Sequence, residues 1–265
     1  MKSVNLNAMY ANEWNRIMRE WNSEFPFLKR FGNSGLFFQT DIMLIGLYFD
    51  RIYGEMYRPF IKGIPLWHTY YDWRKSFSFN NPVQRTRSAD VECYYIFHDR
   101  FFQNNVGFTR QQYGSILEGK VTYADLYALE SKYNDPIEGR RKFMLRKSHL
   151  EYQLVLARYF GNDTNAEKIL NLVEKVYQKD SNDKKTIEYH KSINFSLDEW
   201  REKMYNYYGN REAFMKVCRS RSEDKAVKKL NYATLVNEPP IIKTPLQEWL
   251  TFNWLKRFFD RYFGY

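Results

Sequence analysis

Apolar residues recur with helical spacing at the start of the chain and through most of its second half. Residues 7–21 carry Tyr10, Trp14, Ile17 and Met18 on one helical face. The same periodicity predicts further helices at 136–160, 165–179, 197–208 and 245–262, with shorter ones at 110–118, 123–132, 211–219 and 223–235. The pattern therefore predicts a mainly helical C-terminal region.

Residues that favour helix starts precede the four longer helices of this region. Asp135 stands before Pro136, which suits the first helical position because its missing N–H would have no partner there. Thr164, Ser196 and Thr244 each begin a capping box, in which the hydroxyl group and a Glu or Gln side chain three residues later bind opposite backbone amides. These residues predict where the helices begin.

A short aromatic phrase followed by glycine closes three of the helical stretches. The glycines are Gly161, Gly209 and Gly264. Glycine just past a helix end is typical of a left-handed C-cap, because glycine has no Cβ atom to clash in that conformation. The phrase predicts helix ends and carries no reaction chemistry. Only the phrase repeats and the helix bodies do not, so we expect a bundle, with a two-helix repeat as the alternative.

The helix after Pro136 is apolar on two sides. Tyr152 and Leu156 fall on one face, and Leu150 and Leu154 fall on nearly the opposite face. Such a helix is typical of the centre of a bundle.

A region rich in β-branched and aromatic residues lies between the first helix and the C-terminal region. Three extended pieces compose it: 36–38, 42–49 and 57–67. Pro59 and Pro65 remove backbone donors from the third piece, which predicts an edge strand. We expect a small antiparallel sheet across residues 36–67. Residues 91–97 are consistent with either a fourth strand or a helix.

Together these elements predict an α+β protein. An N-terminal helix and a small antiparallel sheet would occupy residues 1–107, and a helical region would occupy residues 108–265. The length of 265 residues suits one large domain or two small ones, and we expect the two regions to share one core.

The composition favours a soluble, cytoplasmic protein. The longest uninterrupted apolar run, 42–49, is far short of the roughly 20 residues that cross a bilayer. The N-terminus lacks the apolar core of a secretion signal. Cys93 and Cys218 lie far apart with no CxxC pattern, so we expect two free thiols in a reducing compartment.

Basic and aromatic residues are both in excess. The chain has 41 Lys and Arg against 31 Asp and Glu, a net charge of +10. This charge favours encounters with acidic proteins, nucleic acid or anionic surfaces. The 22 Tyr, 21 Phe and 7 Trp residues suit either a binding surface or a large aromatic core.

The best candidate binding surface is the segment 74–87. It has no acidic residue, and it combines six candidate contact residues: Arg74, Lys75, Phe77, Phe79, Arg85 and Arg87. Cations neutralise phosphate or carboxylate groups while aromatic rings stack, so the segment suits single-stranded nucleic acid or an acidic protein. The alternative is a solvated loop whose two phenylalanines pack inward.

No familiar catalytic, cofactor or metal-binding pattern is present in the sequence. The closest pair for a metal is His68 with Asp72, which is more typical of a surface hydrogen bond. Cys93 and His98 are five residues apart, an awkward spacing for a nucleophile and its base. We therefore expect no metal and no cofactor. Carboxylates could still converge in space without a sequence signature, namely Asp41, Asp50, Glu55, Asp72, Glu92 and Asp99.

These observations favour a non-enzymatic binding protein that acts on another protein, which is expected to be acidic. A concrete version is an inhibitor or an immunity-type protein. The alternatives are a nucleic-acid-binding protein that uses segment 74–87, and an enzyme whose carboxylate site is invisible in the sequence. The oligomeric state is not predicted.

Overall fold

The computed structural model describes residues 6–52, 55–69, 73–86, 89–134 and 141–238, and it shows an α+β protein. Eight α-helices lie in these ranges: α1 (Leu6–Glu24), α2 (His98–Leu117), α3 (Tyr123–Asn134), α4 (Arg141–Tyr159), α5 (Asp163–Asn182), α6 (Lys184–Ser192), α7 (Leu197–Lys203) and α8 (Arg211–Ser222). Short 3-10 turns occur at Trp73–Lys75 and Tyr95–Phe97, and a wide π-turn follows α7 at Met204–Tyr208. The predicted α+β fold class is confirmed.

The strands lie mostly in the N-terminal half. They are β1 (Lys29–Arg30), β2 (Gly35–Gln39), β3 (Met43–Ile52), β4 (Met56–Pro65), β5 (Phe79–Pro82), β6 (Gln84–Thr86), β7 (Ala89–Asp90), β8 (Cys93–Tyr94), β9 (Val121–Thr122) and β10 (Leu235–Val236). The main sheet is antiparallel with the order β1-β2-β3-β4-β5, and β8 also pairs with β4. The predicted antiparallel sheet across 36–67 is confirmed and extended by these added strands.

The expectation that the third piece is an edge strand was wrong. β4 is central, because β3 pairs along one side while β5 and β8 pair with different stretches of the other. Pro59 falls between these two stretches, and its carbonyl oxygen accepts a 2.9 Å bond from the Val83 amide on that side. The missing proline donor therefore interrupts no ladder.

Within the described residues the helical predictions hold for most elements but fail at two places, and the predicted helix 245–262 lies outside the described residues. Residues 110–118 are only the second half of the longer helix α2, which follows β8 and a 3-10 turn within 91–97. Residues 223–235 form turns and then β10. The Gln39 amide binds the Asn231 carbonyl at 2.8 Å, and the Ala233 amide binds the Gln39 carbonyl at 2.9 Å, so bonds to the sheet replace helical ones there.

Two of the predicted capping residues can be compared with the structure. The Ser196 hydroxyl accepts a 3.2 Å bond from the Glu199 amide, which confirms it as the cap of α7. Thr164 does not cap α5; the side chain of Asn162 does, by accepting a 3.1 Å bond from the Asn165 amide. Asp135 and Thr244 lie outside the described residues.

Of the glycines predicted to end helices in the left-handed conformation, one is confirmed and one is not. Gly161 has φ +70° after α4, which confirms the left-handed conformation. Gly209 has φ −78°, so the left-handed prediction was wrong there. It closes the π-turn instead, with its amide bound to the Met204 carbonyl at 2.8 Å. Gly264 lies outside the described residues.

The core draws on both the sheet and the helices. Buried apolar side chains from α1, the strands and the C-terminal helices form one cluster. Residues 152–157 of α4 are all buried, which confirms the central position predicted for this helix. The ring centroids of Trp67 and Tyr152 lie 5.7 Å apart across the two regions. In the described ranges, no helix has the length and apolar character that crossing a membrane requires.

Candidate functional site

The two faces of the sheet have different environments. Residues of β3 and β4 alternate between the faces because successive side chains of a strand point in opposite directions. Phe49 and Tyr57 lie on the inner face, where they contact Trp14 and Trp21 of α1. Tyr48 and Lys62 lie on the outer face. The outer face is therefore the side on which the sheet can present polar and aromatic groups together.

A pocket of about 510 Å³ opens on this outer face. The turn between β1 and β2 contributes Phe31 and the residues up to Gly35, and the strands contribute Phe37, Tyr48, Lys62 and Ile64. Arg74 and Ala226 complete the lining. We call this feature the Lys62 pocket. Its walls combine aromatic rings with two cationic side chains.

Lys62 is held between aromatic rings. Its Nζ atom lies 4.3 Å from the ring centroid of Tyr48 and 5.0 Å from that of Phe77. Burial lowers the pKa of Lys62, an effect that the charge of Asp50 opposes. In the described ranges no carboxylate forms an ion pair with Lys62. A partly desolvated cation of this kind gains most from an anion that enters the pocket.

Arg74 differs from Lys62 because it already has a carboxylate partner. Its guanidinium group forms an ion pair with Asp224 and lies 5.7 Å from the ring centroid of Trp73. The pKa of Asp224 is lowered: burial opposes the change, and bonds from the Ala226 amide and Arg74 outweigh it. Asp224 therefore offsets the charge of Arg74, whereas Lys62 is influenced by the charge of Asp50 without an ion pair in the described ranges.

The structure divides the predicted segment 74–87. Arg74 lines the pocket, Phe77 borders it with 40% of its surface exposed, and Lys75 is exposed on the same turn. Phe79 is fully buried and lies against Gly63 in the sheet, so its ring cannot contact a partner of the folded protein. This burial corrects the idea of two exposed rings.

Of the two remaining predicted residues only Arg85 is described, and it does not line the pocket. Arg85 is exposed on β6, and Arg87 lies outside the described residues.

Sequence reasoning missed the residue at the centre of the site, Lys62, together with Tyr48. A signal was present in the alternation of β4, where Arg58, Phe60 and Lys62 occupy the face opposite that of Tyr57 and Ile61. A strand with charged residues on one face and apolar residues on the other has only one face in the core. The alternation of residues in β4 could not show which aromatic rings lie beside Lys62.

The carboxylates proposed for an active site are dispersed where they are described. Asp41 accepts 2.6 Å bonds from the hydroxyl groups of Tyr159 and Tyr232. Glu92 pairs with Arg58, and Asp99 pairs with Arg16 at 2.7 Å. These acids therefore do not combine into one paired-carboxylate site, and Asp72 lies outside the described residues.

His98 belongs to a buried network beside α1. Its Nδ1 atom lies 2.7 Å from the Tyr57 hydroxyl, and its Nε2 atom lies 2.7 Å from a carboxylate oxygen of Glu20. Glu20, His98 and Asp99 have ligand atoms close enough for a metal ion, but the Arg16 guanidinium group binds both carboxylates. The geometry of this network fits an ion-pair cluster that joins α1 to α2.

A second buried polar group lies inside the helical region. Lys147 of α4 binds Asp180 of α5 at 2.6 Å, and its Nζ atom lies 5.3 Å from the ring centroid of Trp200 in α7. Glu151 accepts a 3.0 Å bond from Trp200. Burial raises the pKa of Glu151 to about 7, although bonds from Trp200 and Tyr208 and the charges of Lys203 and Lys147 oppose this change.

The fold and the pocket define a class: an α+β protein with a cation-bearing aromatic pocket on the outer face of an antiparallel sheet. Comparisons with protein-family models, with characterised proteins and with solved structures find no match to this chain. The site must therefore be interpreted from its own geometry.

Proposed function

We propose that this chain is a non-enzymatic binding protein that takes an acidic segment of a partner protein into the Lys62 pocket. The observation that carries the proposal is the Lys62 ammonium group, placed between the rings of Tyr48 and Phe77 without a carboxylate partner in the described ranges. An Asp or Glu side chain of the partner would supply the missing negative charge. In its concrete form, the proposal is an inhibitor or immunity-type protein that covers the active surface of its partner.

The size of the pocket and the charge of the chain support this assignment. A pocket of about 510 Å³ accommodates one or two side chains of a protein segment. The net charge of +10 accelerates encounters with an acidic partner through long-range attraction. Exposed Phe77 supplies an aromatic contact beside the cation, which is common at protein interfaces.

The nucleic-acid alternative has less support from the geometry. Stacking on a single strand needs exposed aromatic faces in series. Phe79 is buried, and the ring of Tyr48 already has the Lys62 ammonium group close to it. The described part of segment 74–87 thus offers one exposed ring, Phe77, where the sequence suggested two.

The test uses two defined probes with the full chain. A fluorescent glutamate-rich peptide represents the acidic partner, and an oligothymidylate represents single-stranded nucleic acid, with binding followed by fluorescence anisotropy. We expect the peptide to bind to the wild-type chain. Lys62→Met should lower the affinity for the peptide about tenfold, which corresponds to roughly 1.4 kcal/mol. Methionine retains much of the length of the side chain but removes its charge.

Lys168→Met is the matched control. Lys168 is exposed on α5, far from the pocket in the chain, so the same change of charge should leave peptide binding unaltered. Equal losses in both variants would show that only net charge matters. Tight binding of the oligothymidylate with a steep dependence on salt would favour the nucleic-acid alternative.

A further inference from the structure

Both cations of the Lys62 pocket have an acidic side chain of the same chain nearby. Arg74 forms an ion pair with Asp224. The charge of Asp50, which lies two residues after Tyr48 on the same face of β3, acts on Lys62. The lining residues themselves include no carboxylate in the described ranges. The chain therefore places negative charge behind the two cations and leaves none in the pocket.

Asp224 is firmly held beside the pocket. Its carboxylate accepts a 2.9 Å bond from the amide of Ala226, which is a lining residue, and its carbonyl oxygen accepts a 2.9 Å bond from the Lys228 amide. The Asp224 side chain is 27% exposed, against 49% for that of Arg74. Lys225, between Asp224 and Ala226 in the chain, is exposed and does not line the pocket. The negative charge of Asp224 therefore stays in place when a ligand contacts Arg74.

Carboxylates and phosphate monoesters would bring different charges to this pocket. An Asp or Glu side chain carries one negative charge, whereas a phosphorylated serine carries about 1.5 to 2 at pH 7. The first negative charge can be paired with Lys62. Any further charge would lie toward Arg74, where Asp224 already offsets the guanidinium group and repels a second anion. A phosphate monoester therefore gains less here than at two cations without an acidic neighbour.

We propose that Asp224 is a specificity-determining residue, which makes the Lys62 pocket prefer a carboxylate to a phosphate monoester. The inference rests on the proposed function and narrows the ligand, because the acidic segment is then recognised through Asp or Glu and not through a phosphorylated residue. Arginine is otherwise a frequent phosphate ligand. The preference therefore depends on the partner that Arg74 has within the chain.

Two fluorescent peptides test this preference with the full chain. They share one sequence of neutral residues and differ only at the central position, which is glutamate or phosphoserine. Fluorescence anisotropy gives both affinities at about pH 7.5, where the phosphate is mostly doubly charged. We expect the wild-type chain to bind the glutamate peptide more tightly.

Asp224→Asn should shift the ratio of the two affinities about tenfold toward the phosphoserine peptide, because losing a negative charge favours the more highly charged ligand. Asparagine can still accept the bond from the Ala226 amide, so the fold should be retained. An unchanged circular dichroism spectrum and melting temperature check this.

Glu223→Gln is the matched control. Glu223 directly precedes Asp224, but it is exposed and pairs with Lys228 instead of a lining residue. The change removes the same charge from the same turn, so the ratio of affinities should stay within about twofold of wild type. Equal shifts in the two variants would show that only net charge matters and would overturn the inference.

Arg74→Gln provides a second variant with the opposite expectation. Asp224 then lacks its cation, so the ratio should move further toward the glutamate peptide. If the ion pair were only structural, both peptides would weaken equally and the ratio would not change. That result, or a wild-type preference for phosphoserine, overturns the inference and leaves the proposed function standing. A wild-type chain that binds neither peptide overturns both.

Discussion

At the residue scale, one two-residue junction both ends a helix and begins the next. Gly161 takes the left-handed conformation after α4, and the side chain of Asn162 then caps α5. The Asn162 amide also binds the Ala157 carbonyl at 2.8 Å. The chain therefore reverses within two residues because each of them satisfies backbone groups that a helix end leaves open.

Asn162→Ala should lower the free energy of unfolding by about 1 kcal/mol, because the Asn165 amide loses its acceptor. Thr164→Ala is the matched control. Thr164 is exposed in the first turn of α5 and is not the cap, so this change should be nearly neutral. Urea denaturation measures both. A larger effect at Thr164 than at Asn162 would contradict the assignment of the cap.

Substitution by asparagine and by alanine should have different relative effects on stability at Gly161 and at Gly209. Asparagine tolerates left-handed backbone, so Gly161→Asn should destabilise less than Gly161→Ala, which we expect to cost about 1 kcal/mol. At Gly209 the backbone is right-handed, and any Cβ atom would lie 2.8 Å from the Met204 carbonyl oxygen. Asparagine should therefore give no advantage over alanine at Gly209. Melting temperatures of the four variants decide this, and an asparagine advantage at Gly209 would contradict it.

At the element scale, buried polar groups join α4, α5 and α7. Lys147 of α4 contacts both Asp180 of α5 and Trp200 of α7. Removing one partner of a buried ion pair leaves the other charge without compensation. This cluster therefore fixes how the three helices are arranged.

The pH dependence of stability should reveal Glu151 within this cluster. Its pKa is raised to about 7, so the folded protein holds a proton that the unfolded chain releases near pH 4.5. The stabilisation is fully present below pH 4.5 and is lost as the pH rises through about 7. Glu151→Gln should remove this loss. Between pH 5 and 8 its free energy of unfolding should therefore rise relative to that of the wild type by on the order of 2 kcal/mol. Denaturation at several pH values measures the difference, and a constant difference between the two proteins would contradict it.

The two phenylalanines of the predicted segment belong to different parts of the sheet architecture. Phe79→Ala should cost roughly 3 to 5 kcal/mol, because it leaves a cavity against Gly63 in the core. Phe77→Ala should change the free energy of unfolding by less than about 1 kcal/mol. It should instead lower the affinity for the glutamate-rich peptide. Thermal unfolding and anisotropy measure the two effects. A large loss of stability at Phe77 would show that its ring is structural.

At the scale of the whole molecule, burial in the core determines how the two cysteines behave. Cys93 and Cys218 are free and buried, and burial raises the pKa of Cys218 to about 12. Native protein should therefore resist alkylation, while unfolded protein without reductant should take up two labels. Mass spectrometry counts the labels. Rapid labelling of native protein, or an unlabelled pair after unfolding, would contradict the buried free thiols.

Much of the fold could be predicted from local sequence. Ser196 and Gly161 act through backbone groups within a few residues, so their roles follow from the residues themselves. The alternation of β-forming residues across 36–67 likewise indicated antiparallel strands. Asparagine is also a common capping residue, but the capping-box pattern at Thr164 placed the predicted helix start two residues after the observed cap, Asn162.

The sequence by itself determined the α+β class, the three central strands and the helix boundaries at Gly161 and Ser196, because periodicity and capping depend on near neighbours. Only the tertiary structure decided that β4 is central, that Phe79 is buried, that residues 231–233 bond to Gln39 of the sheet and that Lys62 lies between two rings. Each of these outcomes depends on which distant segment supplies the neighbouring strand or side chain. Long-range packing sets that choice, and no local propensity encodes it.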